Sequence, residues 1–198
     1  AIIDTWYPGS QGGHALADVL FGDYNPAGRL PVSIPKSVGQ SPVYYNHWWP
    51  KRRDYVEETS APLYAFGHGL SYTTFDYADL KITQSGNAAS TTIEVSVEVT
   101  NTGDRDGDEV VQLYVRDVVS SVVTSVKQLR GFERIHLAKG ESKTVTFTLT
   151  PVELALFDAE MNHVAEAGEF EVQLGASSQD IRLKDSFELL ESIRLTNN

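Results

Sequence analysis

"TIEVSVEVT", residues 92–100, alternates apolar and polar side chains without a break. Successive side chains on a strand point to opposite faces, so Ile93, Val95, Val97 and Val99 share one face, which must find cover. Working outward, residues 110–115, 145–149 and 170–174 ("FEVQL") repeat the pattern. Between them stand turn formers: Asn101-Thr102-Gly103, Ala138-Lys139-Gly140-Glu141 and Ala167-Gly168-Glu169. Short strands at these intervals, with little helical periodicity, predict a two-sheet β-sandwich over residues 76–198 of immunoglobulin-like size. The chain has no Cys, so the Cys-Trp-Cys core of an antibody domain is excluded and a fibronectin III-like variant is expected.

The preceding residues read differently. Residues 1–6 form a short apolar run suited to a buried strand, which Tyr7-Pro8-Gly9 would end. Ser10 can cap a following helix in which Leu16, Val19 and Leu20 keep helical spacing, and Gly22 stands where a helix commonly stops. Gly12-Gly13 weakens a free helix and predicts close packing of its backbone. Residues 30–34, with Pro31 among them, suit an edge or extended connection. One strand and one helix do not make an α/β layer, so residues 1–35 read as the remnant of an α/β domain. Residues 36–75 are rich in Pro, Gly and aromatic residues without periodicity, and read as a connector lying along the protein surface.

Composition bounds the function. With 198 residues, 41% of them hydrophobic and 22% charged, the chain has material for a real core and is a soluble globular protein. A net charge of −11 opposes a phosphate backbone, so nucleic acid is not an expected partner. That charge is uneven: residues 76–198 carry 21 acidic and 11 basic residues, leaving residues 1–75 close to neutral. No apolar run approaches membrane-spanning length, so no membrane partner is expected, and no export signal is visible. The absence of Cys removes thiolate zinc and a cysteine nucleophile, and the five His show no metal-ligand spacing; neither metal nor cofactor is expected.

Two stretches carry candidate chemistry. "DRDGDE", residues 104–109, lacks the spacing of a calcium loop and reads instead as a solvated turn, with Asp104, Asp106, Asp108 and Glu109 between strands. In the connector, Trp48 and Trp49 lie beside Arg52, Arg53 and Asp54. Indole faces stack on the apolar faces of sugars while guanidinium and carboxylate groups bond to hydroxyls, so these five are the candidate substrate-binding residues. The competing reading is that the Trp rings only anchor the connector to a neighbouring domain. Trp6, Tyr7 and Pro8 are expected to pack rather than bind.

Four segments carry a resemblance: "WYPGSQGGHALADVLFGDYNPAGRLPVSIP" (6–35), "PLYAFGHGLSYTTF" (62–75), "LRGFERIHLAKGESKTVTFTLTP" (129–151) and "GEFEVQLGASSQDIRL" (168–183). In order and spacing they resemble the C-terminal third of family 3 glycoside hydrolases, the β-glucosidase and β-xylosidase family. Gln11 stands where members often have Glu, a position that is not the acid/base. The resemblance implies a three-part retaining, exo-acting enzyme whose nucleophilic Asp and acid/base Glu both lie upstream of residue 6, so no catalytic residue is assigned here. It further implies N-terminal catalytic domains as partner, in the same polypeptide or a companion fragment, a β-linked oligosaccharide as substrate, β-glucosidase before β-xylosidase as activity, and a periplasmic or secreted bacterial location. The alternatives from other classes are a carbohydrate-binding module without an enzyme and a structural interaction domain; a free binding module would not need the strand and helix of residues 1–34.

Overall fold

The computed structural model describes residues 2–48, 54, 58–86 and 91–195. The predicted sandwich is present. One sheet has three antiparallel strands in the order β1 (Phe75–Ser85), β2 (Thr92–Asn101), β5 (Ser142–Leu149). The other has four, in the order β4 (Gln128–Leu137), β3 (Gly107–Asp117), β8 (Gly168–Gly175), β9 (Ile181–Leu189). Ile93, Val95, Val97 and Val99 are fully buried, and they join one core with Val111, Leu113, Phe170, Val172 and Leu174 from the facing sheet. This is the expected consequence of a period-2 apolar face on both layers.

A short helix α2 (Pro151–Leu154) follows β5; Thr150 and Glu153 cap it reciprocally, the Thr150 N–H donating to Glu153 Oε2 at 2.7 Å. Three short strands, β6 (Leu156–Phe157), β7 (His163–Ala165) and β10 (Ile193–Arg194), close that end of the sandwich.

Helix α1 (Gly12–Phe21) forms as predicted and ends at Gly22, whose φ of +82° is the left-handed cap conformation. Its N-cap is Gln11, not Ser10, and makes no side-chain cap. Gly12 packs on Pro8, where a Cβ would come within 2.6 Å of the ring, whereas no described residue crowds Gly13. The strand expected over residues 1–6 is not formed: residues 2–6 have no ladder partner among the described residues, and an apolar run without a neighbouring strand gains no hydrogen bonds by extending. Of the three residues expected to pack, Pro8 meets Gly12, while Trp6 and Tyr7 are 57% and 99% exposed.

The four-stranded sheet differs from a simple alternation. Gln112 and Tyr114 on β3 point away from the core and are nonetheless buried, with Gly67 and Tyr45 of the connector against them; Gln173 on β8, buried as well, meets Lys127.

Candidate functional site at the connector

The connector is built as a strap. Its two arms pair where residues 30–34 meet residues 63–68: the Leu30 N–H donates to His68 O at 2.9 Å, Gly67 N–H to Leu30 O at 2.8 Å, and Ile34 and Tyr64 form an antiparallel bridge. Residues 30–34 are thus an extended connection, as their Pro requires. Gln40, 3% exposed, closes the loop beyond them, its Oε1 accepting the Lys36 N–H at 2.7 Å and its Nε2 donating to Ala61 O at 2.8 Å.

Several contacts fix the strap to the sandwich. Asn25 accepts from Ser71 Oγ and Tyr72 N with one side-chain end and donates to Asp106 O, 3.0 Å away, with the other. Gly67, at φ +80°, lies so close to Gln112 that the side-chain amide donates to its carbonyl at 3.2 Å. Deepest is an ion pair: Arg29 Nη2 reaches Glu109 Oε1 and Oε2 at 3.1 and 3.0 Å, with the two side chains 9% and 4% exposed. The Tyr77 hydroxyl donates to Glu109 Oε1 at 3.2 Å.

That ion pair corrects the reading of residues 104–109. Asp104 and Asp106 do occupy the turn, where Lys139 meets both, but Asp108 and Glu109 belong to β3. Asp108 is held below its ordinary pKa: burial opposes this, and hydrogen bonds from His136 and Arg134 outweigh it. Glu109 is buried; its counter-ion is 80 residues away in sequence, so local reading missed it. Among the described residues no group of three or more His, Asp or Glu is gathered closely enough to hold a metal ion.

Of the candidate residues, Trp49, Arg52 and Arg53 lie outside the described residues, and two can be placed. The Trp48 backbone bridges Ser125 while His47 O accepts the Val126 N–H at 2.9 Å, so the main chain is tied to the sandwich. The Trp48 ring is 72% exposed, so the attachment to the sandwich is made by the backbone and not by the ring. Asp54 Oδ1 accepts from Ser60 N and Ser60 Oγ at 2.8 and 2.9 Å. Ser60 in turn lines a groove of about 250 Å³ between connector and sandwich, bounded by Tyr44, Tyr45, His47, Lys127 and Gln179. Sequence reading missed the groove's most unusual member. Lys127 carries no motif, and only folding places its ammonium against Ser178 O, Gln173 Oε1 and the Tyr114 ring.

A fibronectin III-like sandwich strapped by a segment that continues into a lone α/β-type helix is the class of structure these elements define. Residues 1–72 match the family model of the glycosyl hydrolase family 3 C-terminal domain, and residues 109–178 that of a fibronectin type III-like domain. The chain belongs to glycoside hydrolase family 3, as a C-terminal part. It is 46% identical to a periplasmic β-glucosidase of Salmonella typhimurium over 96% of this chain and 26% of the relative. It is 47% identical to a β-xylosidase of Formosa agariphila over 93% and 26%. A solved β-glucosidase structure from Erythrobacter marinus superposes with a TM-score of 0.88 at 44% identity, over 93% of this chain and 24% of that one. The chain therefore spans about a quarter of the length of the curated relatives it matches.

Proposed function

We propose that this chain is the C-terminal portion of a retaining, exo-acting β-glycosidase that removes terminal β-D-glucosyl residues, serving a structural and cleft-rim role and inactive alone. The observation that carries the reading is the order of the two family segments along one chain, which aligns over 96% and 93% of its length with relatives named as a β-glucosidase and a β-xylosidase. Residues 1–35 are on this reading the end of the α/β domain, 36–75 the connector and 76–198 the sandwich. Helix α1 supports it: Gly12 is its sole buried residue while Leu20 and Phe21 are 60% and 84% exposed, an apolar face that the N-terminal catalytic domains would cover.

Retention needs a nucleophilic carboxylate and an acid/base carboxylate about 5 Å apart. Both belong to the N-terminal domains on this reading, and the chain's contribution is to hold the connector beside them. Trp48, Trp49, Arg52, Arg53 and Asp54 would contact a β-linked oligosaccharide beyond its terminal sugar. The exposed Trp48 ring on a pinned backbone supports that role, since a rigid stacking face loses little entropy on binding. β-Xylosidase is the alternative, because identity to the two named activities is nearly equal at 46% and 47%.

The test is turnover. The purified 198-residue chain is expected to leave aryl β-glucosides and β-xylosides intact, and turnover should appear when the N-terminal portion is supplied. Hydrolysis by the chain alone, lost on replacing one of its own carboxylates, would overturn the assignment. In the reconstituted enzyme, the ratio of kcat/KM on the two aryl glycosides decides between the activities. Trp48→Ala there should lower kcat/KM for an oligosaccharide by about 1–2 kcal/mol while sparing the aryl glycoside.

A further inference from the structure

The main-chain attachment of Trp48 is made to a loop, residues 118–126, that leaves the end of β3. Ser125 bridges Trp48, and the Val126 N–H donates to His47 O at 2.9 Å. Apolar burial does little for this loop, since Val119 and Val123 are 79% and 68% exposed. Polar contacts hold it instead. The Val118 N–H donates to Glu169 O at 3.1 Å, and Ser120 Oγ donates to Val122 O at 2.8 Å. Glu166, in the turn between β7 and β8, accepts both the Ser121 N–H, at 2.8 Å, and the Ser121 hydroxyl. That carboxylate ties the loop to the body of the sandwich.

Asp117, the last residue of β3, places a second carboxylate beside the tie. It faces a cavity of about 40 Å³ at the end of the sandwich where α2 lies, lined also by Thr124, Arg130, Glu153 and Phe170. Its carboxylate accepts a hydrogen bond from the Val119 backbone, but Oδ2 is buried and has no partner among the described residues. The charged groups around it offer no relief. Glu166 repels it. Arg130 and Glu153, on the same cavity wall, attract each other, and Glu153 is further committed to Thr150. Arg116 and Glu171 stand one position along the paired strands and so face the other side of the sheet. A buried carboxyl with an orphaned oxygen and a like-charged neighbour favours its neutral form, and the pKa of Asp117 is pushed up to about 6, by burial first and by Glu166 second.

We propose that Asp117 and Glu166 form a pH-operated clasp on residues 118–126: while Asp117 is protonated, Glu166 grips Ser121 and the loop grips the connector, and ionisation of Asp117 loosens both. The sign follows from linkage. Opening the loop wets Asp117 and returns it to an ordinary carboxylate pKa of about 4. The open form is therefore favoured as pH rises from about 4 through 6, and the effect saturates above that. The clasp acts on the connector whatever the connector binds.

Amide hydrogen exchange of the 198-residue chain, corrected for intrinsic rates, reads the opening. Between pH 4 and pH 7 the protection of the Ser121 and Val126 N–H groups is expected to fall about fivefold. The Leu63 N–H, which donates to Ile34 O at the other junction of the strap, should hold steady. Asp117→Asn should keep the acid-level protection at every pH. That result separates Asp117 from His47, the other titratable group at this junction, whose Nδ1 lies 3.1 Å from Trp48 O. Glu166→Gln keeps an acceptor for Ser121 without the charge and should reduce the change; it decides the matter if Asp117→Asn folds poorly. Protection of Val126 that ignores pH, an unchanged response in either variant, or an equal response at Leu63 would each overturn the proposal.

Discussion

The Arg29–Glu109 pair sets the strength of the strap. It is desolvated on both sides, and its geometry leaves little slack: Arg29 Nη1 also donates to Gly28 O at 3.2 Å, and Arg29 Nε has no hydrogen-bond partner among the described residues. Removing one member leaves a buried charge uncompensated, which costs about 3–5 kcal/mol, whereas replacing both by apolar groups of similar volume is often neutral. Glu109→Gln and Arg29→Met should therefore each lower stability by about 3–5 kcal/mol, or the Tm by roughly 6–20 °C for a chain of this size. The double variant Arg29→Met/Glu109→Leu should recover most of the loss. The assay has a built-in division, because Trp6, Trp48 and Trp49 all precede β1 while most strand signal comes from the sandwich. Urea unfolding followed by tryptophan fluorescence should show the strap of Arg29→Met releasing before the far-UV circular dichroism of the sandwich changes. A single-variant loss below about 1 kcal/mol, or a double variant as costly as the sum of the singles, would refute the argument that the pair is coupled and desolvated.

Neighbouring contacts carry three further expectations. Gly67→Ala should cost at least about 2 kcal/mol in urea unfolding: the left-handed φ of +80° strains any Cβ, and that Cβ would lie 2.1 Å from Gln112 Oε1. Trp48→Ala should change stability by no more than about 0.5 kcal/mol, because the ring is 72% exposed and the backbone carries the attachment; a larger loss in thermal melts would restore the anchoring role. Asp117 has its pKa pushed up to about 6, by burial first and by Glu166 second. The folded state thus holds that proton where the unfolded state has released it, and this contribution to stability is lost as pH rises from about 4 through 6. Solvent screening limits the effect to about 1 kcal/mol. Asp117→Asn should flatten that slope in a pH series of unfolding midpoints, and an unchanged slope would place the titration elsewhere.

The sequence by itself determined the sandwich, because alternation is a local property. Ile93, Val95, Val97 and Val99 declare one face, their turns declare its limits, and no distant residue is needed to know that such a face is buried. It also determined helix α1 and its glycine stop, both set within one or two turns of chain. Only the tertiary structure decided what lies outside the core. Glu109 reads as one more acid in a polar turn until Arg29 is brought against it from 80 residues away. Gln112 and Tyr114 stand on the face away from the core and are buried because the connector lies over them. Lys127 becomes unusual through desolvation by segments that share no pattern with it. The run at residues 1–6 shows the converse: it carries strand composition, yet a strand exists only where a second one offers its hydrogen bonds. Periodicity is written along the chain, but partners for charge and backbone are supplied across it, and the strap and its groove are made of such partners.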